Sequence, residues 1–234
     1  MKHRFIFLLA AVVLVSCNRR IKGNGDFIEE SRTAGSFTSV VSAGDFDVIL
    51  TPGAAGSIKI YGESNIVSRI KTEVDGSELT INFSNSSRRY EHDGVKIYVT
   101  SNGVSNVDLQ GSGSIVSEDN LIANSLHTNL SGSGDVSLKY NGGNASAELS
   151  GSGNIDLSGQ ATNASYTVSG SGNVNALGLS VRFCNANISG SGNIMVNVDS
   201  ILNANISGSG NVRFVGNPDF VNPNISGSGT VTPY

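Results

Sequence analysis

The chain has 234 residues, a formal net charge of −4, 29 Gly, no Trp, and only 15% charged residues against roughly 25% in an ordinary soluble domain. Disorder needs high net charge and few apolar residues, so this composition excludes it, and the glycines do not follow a collagen period. A Gly-, Ser- and Asn-rich chain with regularly spaced Ile and Val points instead to short strands and many turns.

Lys2, His3 and Arg4 make a short basic start, and Phe5 to Val15 is an unbroken apolar run of 11 residues. A membrane-spanning helix needs about 20 such residues, so the run has the proportions of a signal-peptide core. Leu14-Val15-Ser16-Cys17 follows and resembles the lipobox of bacterial lipoproteins. The resemblance implies cleavage before Cys17 and acylation of its thiol, with the membrane as a partner through the lipid. Each buried CH₂ contributes about 0.8 kcal/mol, and more than one chain makes anchoring stable. Asn18, rather than Asp, after the Cys favours the outer membrane, and the basic residues beyond it lean towards the periplasmic face.

Cleavage removes Lys2 and Arg4 and leaves a net charge near −6. That balance gives no footprint for nucleic acid and argues against the domain surface binding anionic membranes.

Residues 18–35 are polar and Gly-containing, without periodicity, and read as a tether. Alternation then sets in: Phe46, Val48 and Leu50; Ile58 and Ile60; Leu79, Ile81 and Phe83; Val95, Ile97 and Val99. Period two predicts strands, and Asp75-Gly76 predicts a tight turn. Ser42-Ala43-Gly44-Asp45-Phe46 looks like a degenerate form of a later motif, and the charged stretch Ser84 to Gly94 predicts a protruding loop. The expectation for 36–103 is a set of irregular early coils or a strand cap.

From residue 104 the chain repeats. Gly-Ser-Gly recurs with its glycines at Gly111 and Gly113, Gly132 and Gly134, Gly151 and Gly153, Gly170 and Gly172, Gly190 and Gly192, Gly208 and Gly210, and Gly227 and Gly229. Successive copies are spaced 21, 19, 19, 20, 18 and 19 residues apart. An apolar residue stands two before each copy (Leu109 to Ile225) and two after (Ile115 to Val231). Each unit is two strands joined at a Gly-Ser-Gly corner, too small to bury its apolar residues alone. Stacked units can bury them. The predicted fold is all-β, a single-stranded parallel β-helix with coils of about 19 residues and an irregular β front segment. Six intervals of about 4.8 Å make the repeat region roughly 29 Å long.

At the corners glycine is expected to supply positive φ and close approach. Asn154, Asn173, Asn193 and Asn211 are expected to stack as a ladder. With Cys17 lipidated, Cys184 has no partner; it alternates with polar neighbours and reads as an inward core residue. Three of the four prolines, Pro218, Pro223 and Pro233, crowd the last 17 residues, as edge protection would require.

The lipobox, the strand-rich front and the repeated Ser-Gly-Ser-Gly-Asn-Ile/Val units together resemble the putative autotransporter adhesin head GIN domain family (DUF2807), common in Bacteroidetes. The resemblance covers roughly residues 36–225 and implies a right-handed β-helix. It brings no catalytic residues.

No chemistry assembles on the residues themselves. Carbohydrate-active β-helices need clustered carboxylates with a base. From residue 104 the only bases are Lys139, Arg182 and Arg213, and Asp108 and Glu148 share a column with Asn129 and Thr167, which reads as solvated polar positions. His92 and His127 have no partner pattern. The repeat lacks the carboxylates a calcium site needs, so neither a metal nor another cofactor is expected. Few aromatics in the repeats leave no stacking platform for sugars. Asp199-Ser200-Ile201 matches a short O-glycosylation acceptor pattern at Ser200.

The organisation expected is a signal peptide over 1–16, lipidated Cys and tether over 17–35, an irregular β segment over 36–103, and the repeat β-helix over 104–234. The functional expectation is an anchored, non-catalytic surface-binding or adhesin-like protein facing a cell-surface polymer or protein. A structural envelope lipoprotein and a degenerate carbohydrate-active β-helix stand as alternatives, with oligomeric state open.

Overall fold

A computed structural model describes residues 20–53 and 56–234. The expected signal peptide and lipidated Cys17 lie outside the described residues.

The repeats form the strands β10 (Asn106–Leu109), β11 (Ser114–Leu130), β12 (Asp135–Leu149), β13 (Asn154–Gln160), β14 (Asn163–Val168), β15 (Asn173–Ile188), β16 (Ile194–Ile206), β17 (Val212–Val215), β18 (Phe220–Ile225) and β19 (Val231–Pro233). They pair in parallel, each with the equivalent segment of the next coil, giving a solenoid of roughly seven turns at about 19 residues per turn. One inward column runs Val107, Thr128, Ala147, Tyr166, Ala186, Ala204, Pro223. Beside it Leu109, Leu130, Leu149, Val168, Ile188 and Ile206 stack as a second, fully buried one. Such columns fill the interior, and the polar residues between them point outward, as period two dictates.

Tyr166 fits its column because Ala147 and Ala186 flank it, large against small. Its hydroxyl has no hydrogen-bond partner, and burial pushes its pKa well above the usual tyrosine value. The equally buried Tyr140 donates to the Asn144 carbonyl at 2.9 Å, with the Ala123 carbonyl at 3.1 Å. An orphaned buried hydroxyl costs about 1–3 kcal/mol and a satisfied one contributes about 1. Tyr166→Phe is therefore expected to be neutral or stabilising, and Tyr140→Phe to destabilise by about 1 kcal/mol; urea denaturation of the two variants measures the contrast.

The front segment is a cap. It contains β1 (Ile21–Lys22), β2 (Phe27–Thr33), β3 (Ser39–Ala43), β4 (Asp47–Pro52), β5 (Ser57–Glu63), the single-turn helix α1 (Ser64–Val67), β6 (Ile70–Asp75), β7 (Glu78–Phe83), β8 (Tyr90–Glu91) and β9 (Lys96–Ser101). β3 and β4 form the coil beneath β10 and β11, and β7 and β9 form the coil beneath that, all parallel. Antiparallel strands then close the stack: β6 on β7, β5 on β9, and β2 on β5. Both front expectations hold together, since irregular coils and a strand cap are successive layers of one stack. Asp75-Gly76 makes the expected turn between β6 and β7, with Gly76 at φ 58.

Two boundaries need correction. Residues within the expected 17–35 tether form β1 and β2. In β2 the half-buried positions are Ile28, Glu30 and Arg32, so no apolar period marks the strand. Arg32 instead bonds Glu30 at 2.7 Å and the carbonyls of Ile70 and Val67, so a polar layer seals the end of the stack. The loop expected to protrude over 84–94 does so only through Arg89. Tyr90–Glu91 then pairs with β1, and the Tyr90 ring stacks on Phe83 at 3.7 Å.

The other end of the stack is open, and the late prolines lie on it. Ser226 N–H donates back to Ile206 and Tyr234 N–H back to Phe214. N–H directions alternate along a strand, so those of positions 223 and 233 face outward, where proline leaves no donor for another strand. Pro218 lies in the preceding loop.

Candidate binding surface

The corners are the most regular feature of the surface, and their glycines work differently from the expectation. Positive φ was expected of them, and none has it: not Gly111, Gly113, Gly132, Gly134, Gly151, Gly153, Gly170, Gly172, Gly190, Gly192, Gly208, Gly210, Gly227 or Gly229. The left-handed glycines lie elsewhere, as at Gly25, Gly76 and Gly216. Close approach is the whole reason for glycine at the corners. A Cβ on the first glycine of a corner would overlap the carbonyl oxygen of its counterpart one coil back: Gly132 meets Gly111, Gly151 meets Gly132, Gly170 meets Gly151, Gly190 meets Gly170, Gly208 meets Gly190 and Gly227 meets Gly208. The second glycine does the same, since Gly134 meets Gly113, Gly153 meets Gly134, Gly172 meets Gly153, Gly192 meets Gly172, Gly210 meets Gly192 and Gly229 meets Gly210. At the bottom of the repeats Gly111 lies against the Gly44 carbonyl and Gly113 against that of Phe46, so the degenerate motif at 42–46 is indeed the first corner.

Beside the corners the expected amide ladder is present. Asn154 Nδ2 donates to Asp135 at 2.9 Å, Asn173 to Asn154 at 3.1 Å, Asn193 to Asn173 at 2.9 Å and Asn211 to Asn193 at 3.1 Å; Thr230 Oγ1 closes it on Asn211 at 2.7 Å. Two further ladders cover the face before the corner: Asn185, Asn203, Asn222 and Asn187, Asn205, Asn224. Sequence reading missed these, though the spacing of Asn-x-Asn before each late corner carried the signal. A shallow groove of about 220 Å³ runs between the second of them and Ser189, Ser207 and Ser226, the serines that precede each late corner.

A larger cleft, about 400 Å³, opens where the 84–89 loop overhangs the first corners, with Asp45, Arg88, Tyr90, Gln110 and Ser112 on its walls. Behind it His92 Nε2 lies 3.2 Å from Asp45. Their hydrogen bond raises the His92 pKa, and the same bond lowers that of Asp45. Glu63, buried nearby, accepts from the N–H groups of Gly25 and Asp93, so this cluster holds loops together.

The polar column of Asp108, Asn129, Glu148 and Thr167 is confirmed in register. His127 Nδ1 lies 2.6 Å from Ser146 Oγ on this open face. Among the described residues no carboxylate is bonded to His127, so the orienting third member of a hydrolytic triad is missing. No group of three His, Cys, Asp or Glu side chains among the described residues is placed to hold a metal ion. Cys184 is buried in the core as expected, and burial pushes its thiol up to about 12, which makes it unreactive. Ser200 is half-buried where β16 slips register against β15.

Aromatic residues gather where sequence reading did not look. On the outer face of β2, β5 and β9, Phe27 stacks on Tyr61 at 5.6 Å, and Phe27, Tyr61 and Tyr98 are each 40–45% exposed. Lys59 and Lys96 alternate with them across the pairing. The three rings are far apart in sequence, so only the antiparallel register reveals the patch.

The profile of the family described as "Putative auto-transporter adhesin, head GIN domain" matches residues 36–218. The chain belongs to this family. Its fold is shared with a putative adhesin from Bacteroides fragilis, 23% identical with a TM-score of 0.87, over 92% of this chain and 100% of that one. A putative lipid binding protein from Parabacteroides distasonis is 26% identical with a TM-score of 0.76, over 92% and 100%. A putative adhesin from Parabacteroides merdae is 22% identical with a TM-score of 0.70, over 92% and 99%. No curated protein matches the chain. The family and these neighbours carry adhesin and binding names rather than enzyme names, and an adhesin-like family places the protein in the cell envelope or at its surface.

Proposed function

We propose that this protein is an outer-membrane lipoprotein of a Bacteroidetes cell, anchored through Cys17 after removal of residues 1–16. Its rigid, non-catalytic β-helix presents a polar, amide-lined surface to a cell-surface polymer or protein. The family match over most of the chain carries the adhesin-like reading. Its physical support is the filled core and the three asparagine ladders, which give a stiff face of uncharged, hydrogen-bonding groups. The lipid-binding name of the Parabacteroides distasonis neighbour brings a lipid ligand into question here. The solenoid interior is filled by side-chain columns, which disfavours a lipid held inside it. Ser200, at the register slip, is the position proposed for O-glycosylation.

Protease treatment of intact cells, with lysed cells as control, tests the reading. Loss of the protein from intact cells is the result the adhesin reading requires. Full protection until lysis would remove the adhesin role and leave a periplasmic structural one.

A further inference from the structure

The cleft of about 400 Å³ beneath the 84–89 loop holds polar groups that the architecture does not use. Phe83 and Tyr90 line it, and both are backed by the core. Phe46 is fully buried, Phe83 packs on it at 4.7 Å, and Tyr90 stacks on Phe83 at 3.7 Å. The overhanging loop is tied down as well. The Tyr90 hydroxyl donates to the Asn85 carbonyl at 3.2 Å, Ser87 N–H donates to the Asn85 side chain at 3.1 Å, and Ser84 N–H donates to the Arg69 carbonyl. The cleft is therefore largely organised before any ligand arrives. Its rings belong to the cap, which supplies the stacking platform that the repeats lack.

The polar walls keep both donors and acceptors free. No carboxylate among the described residues pairs with Arg88. Asp45 engages one oxygen with His92 and accepts from no other side chain among the described residues. Gln110 donates through Nε2 to Asp108 at 2.7 Å, which leaves its carbonyl oxygen to accept. Ser112 adds a hydroxyl that can do either. The backbone is committed by contrast: Gln110 and Ser112 N–H donate to the Ser42 and Gly44 carbonyls between coils, so an extended peptide finds no strand edge here. Arg88 and Asp45 carry opposite charges into the same cleft, so neither an anion nor a cation is favoured. The occupant that fits is neutral, with hydroxyls that both donate and accept and with an apolar C–H face for the rings. A pyranose has all three, and the negative face of an aromatic ring attracts its polarised C–H groups. The volume lies near the lower end of the range for ligand pockets, about 300–1,000 Å³, and suits one or two sugar rings.

We infer that this cleft binds a neutral hexose or N-acetylhexosamine residue of a cell-surface glycan, stacked on Tyr90 and held by Asp45, Arg88, Gln110 and Ser112. The inference deepens the surface-binding reading, on which it rests for the source of the sugar. Loops on a rigid scaffold are the usual place for such a site, and here the loop is the one irregular element that overhangs the first corners.

The test uses the full mature protein in detergent micelles. Its aromatic protons are irradiated in the presence of the methyl glycosides of glucose, galactose and mannose and of N-acetylglucosamine, and saturation transfer to the sugar C–H protons is read by NMR. At least one of these neutral probes should receive it, and more strongly than glucuronate or glucosamine. Titration of that probe should show Arg88→Ala weakening binding about tenfold or more, the loss expected of a hydrogen bond from a charged group. Arg88 is exposed and has no ion pair among the described residues, so the fold should be kept. Tyr90→Ala should weaken binding by at least about tenfold as well, as truncation of an aromatic anchor does. Tyr61→Ala, on the outer aromatic patch of the cap, should leave binding unchanged. Transfer to no neutral sugar, stronger transfer to a charged one, or binding lost in Tyr61→Ala but kept in Arg88→Ala overturns the site. Protease treatment of intact cells separates the two readings. A sugar-binding protein that is fully protected keeps the site and loses the adhesin role; a surface-exposed protein that binds no sugar loses the site alone.

Discussion

Gly151→Ala should destabilise the solenoid by about 3 kcal/mol or more, although alanine normally favours ordered backbone over glycine. The new Cβ would fall on the Gly132 carbonyl oxygen and close to its carbonyl carbon. Both belong to a backbone that is itself bonded to the next corner, since Ser152 N–H donates to Gly132 at 3.1 Å. Neither coil can retreat without stretching the ladder that joins them, so the overlap lies at or above the upper end of ordinary overpacking costs, about 1–3 kcal/mol. A domain of this size loses about 2–4 °C in melting temperature per kcal/mol, so a drop of at least about 6 °C is expected by calorimetry. Gly76→Ala is the informative comparison. Nothing lies within 4 Å of a Cβ there, but φ is +58, so its cost is the left-handed strain alone, about 1–2 kcal/mol. Gly76→Asn should recover much of that loss, because asparagine tolerates the left-handed region. Gly151→Asn should be worse than Gly151→Ala, because the obstacle there is space. Equal costs at the two sites would mean that the corners use glycine for conformation after all.

This distinction marks the limit of what was legible beforehand. Repetition exposes the solenoid, because Leu109, Leu130, Leu149 and their successors recur at one offset from each corner and so must share one column. The same offset predicts the ladder from Asn154 to Asn211. Glycine's two uses, by contrast, leave the same letter in the sequence, and only the backbone geometry separates them. The cap was opaque for a different reason. Its coils stack out of chain order, with β7 and β9 beneath β3 and β4, and its sealing strand β2 turns Glu30 and Arg32 inward. Charged residues at half-buried positions erase the period on which strand recognition depends, and the chain from Ile21 to Thr33 consequently read as tether. The aromatic patch was hidden likewise, since Phe27, Tyr61 and Tyr98 meet only through antiparallel register. Membership of the adhesin-head family followed from the repeated unit; the partner did not, because ladders and corners explain nearly every regular polar residue as architecture.

The corner ladder has a direction, and the direction yields the second large effect. Every amide donates towards the preceding coil and accepts from the following one. The first rung therefore needs only to accept, and the last only to donate. Asp135 is a pure acceptor that takes both the N–H and the Nδ2 of Asn154; Thr230 donates its hydroxyl to Asn211 and ends the run. Irregularities in the repeat are thus its correct terminators. Interior rungs must do both. Asn173 donates to Asn154 and accepts from Asn193 through the backbone N–H at 3.1 Å and the amide at 2.9 Å. Asn173→Ala strands both donors in a partly buried site and should cost about 2 kcal/mol. Asn173→Asp should cost at least as much at pH 7, since an ionised carboxylate would face the Asn154 oxygen with no proton to offer. Protonation restores a donor, so the pKa of that carboxyl should be raised on folding. The native state then binds the extra proton between the unfolded value of about 3.9 and the raised one, and stability falls as pH rises through that window. Denaturation of Asn173→Asp at pH 4 and pH 7 should show a gain on acidification, relative to wild type, that Asn173→Ala lacks. Asp135→Asn, which keeps the acceptor at the first rung, should change stability by no more than about 0.5 kcal/mol. A ladder without direction would penalise Asp at position 173 and Asn at position 135 alike.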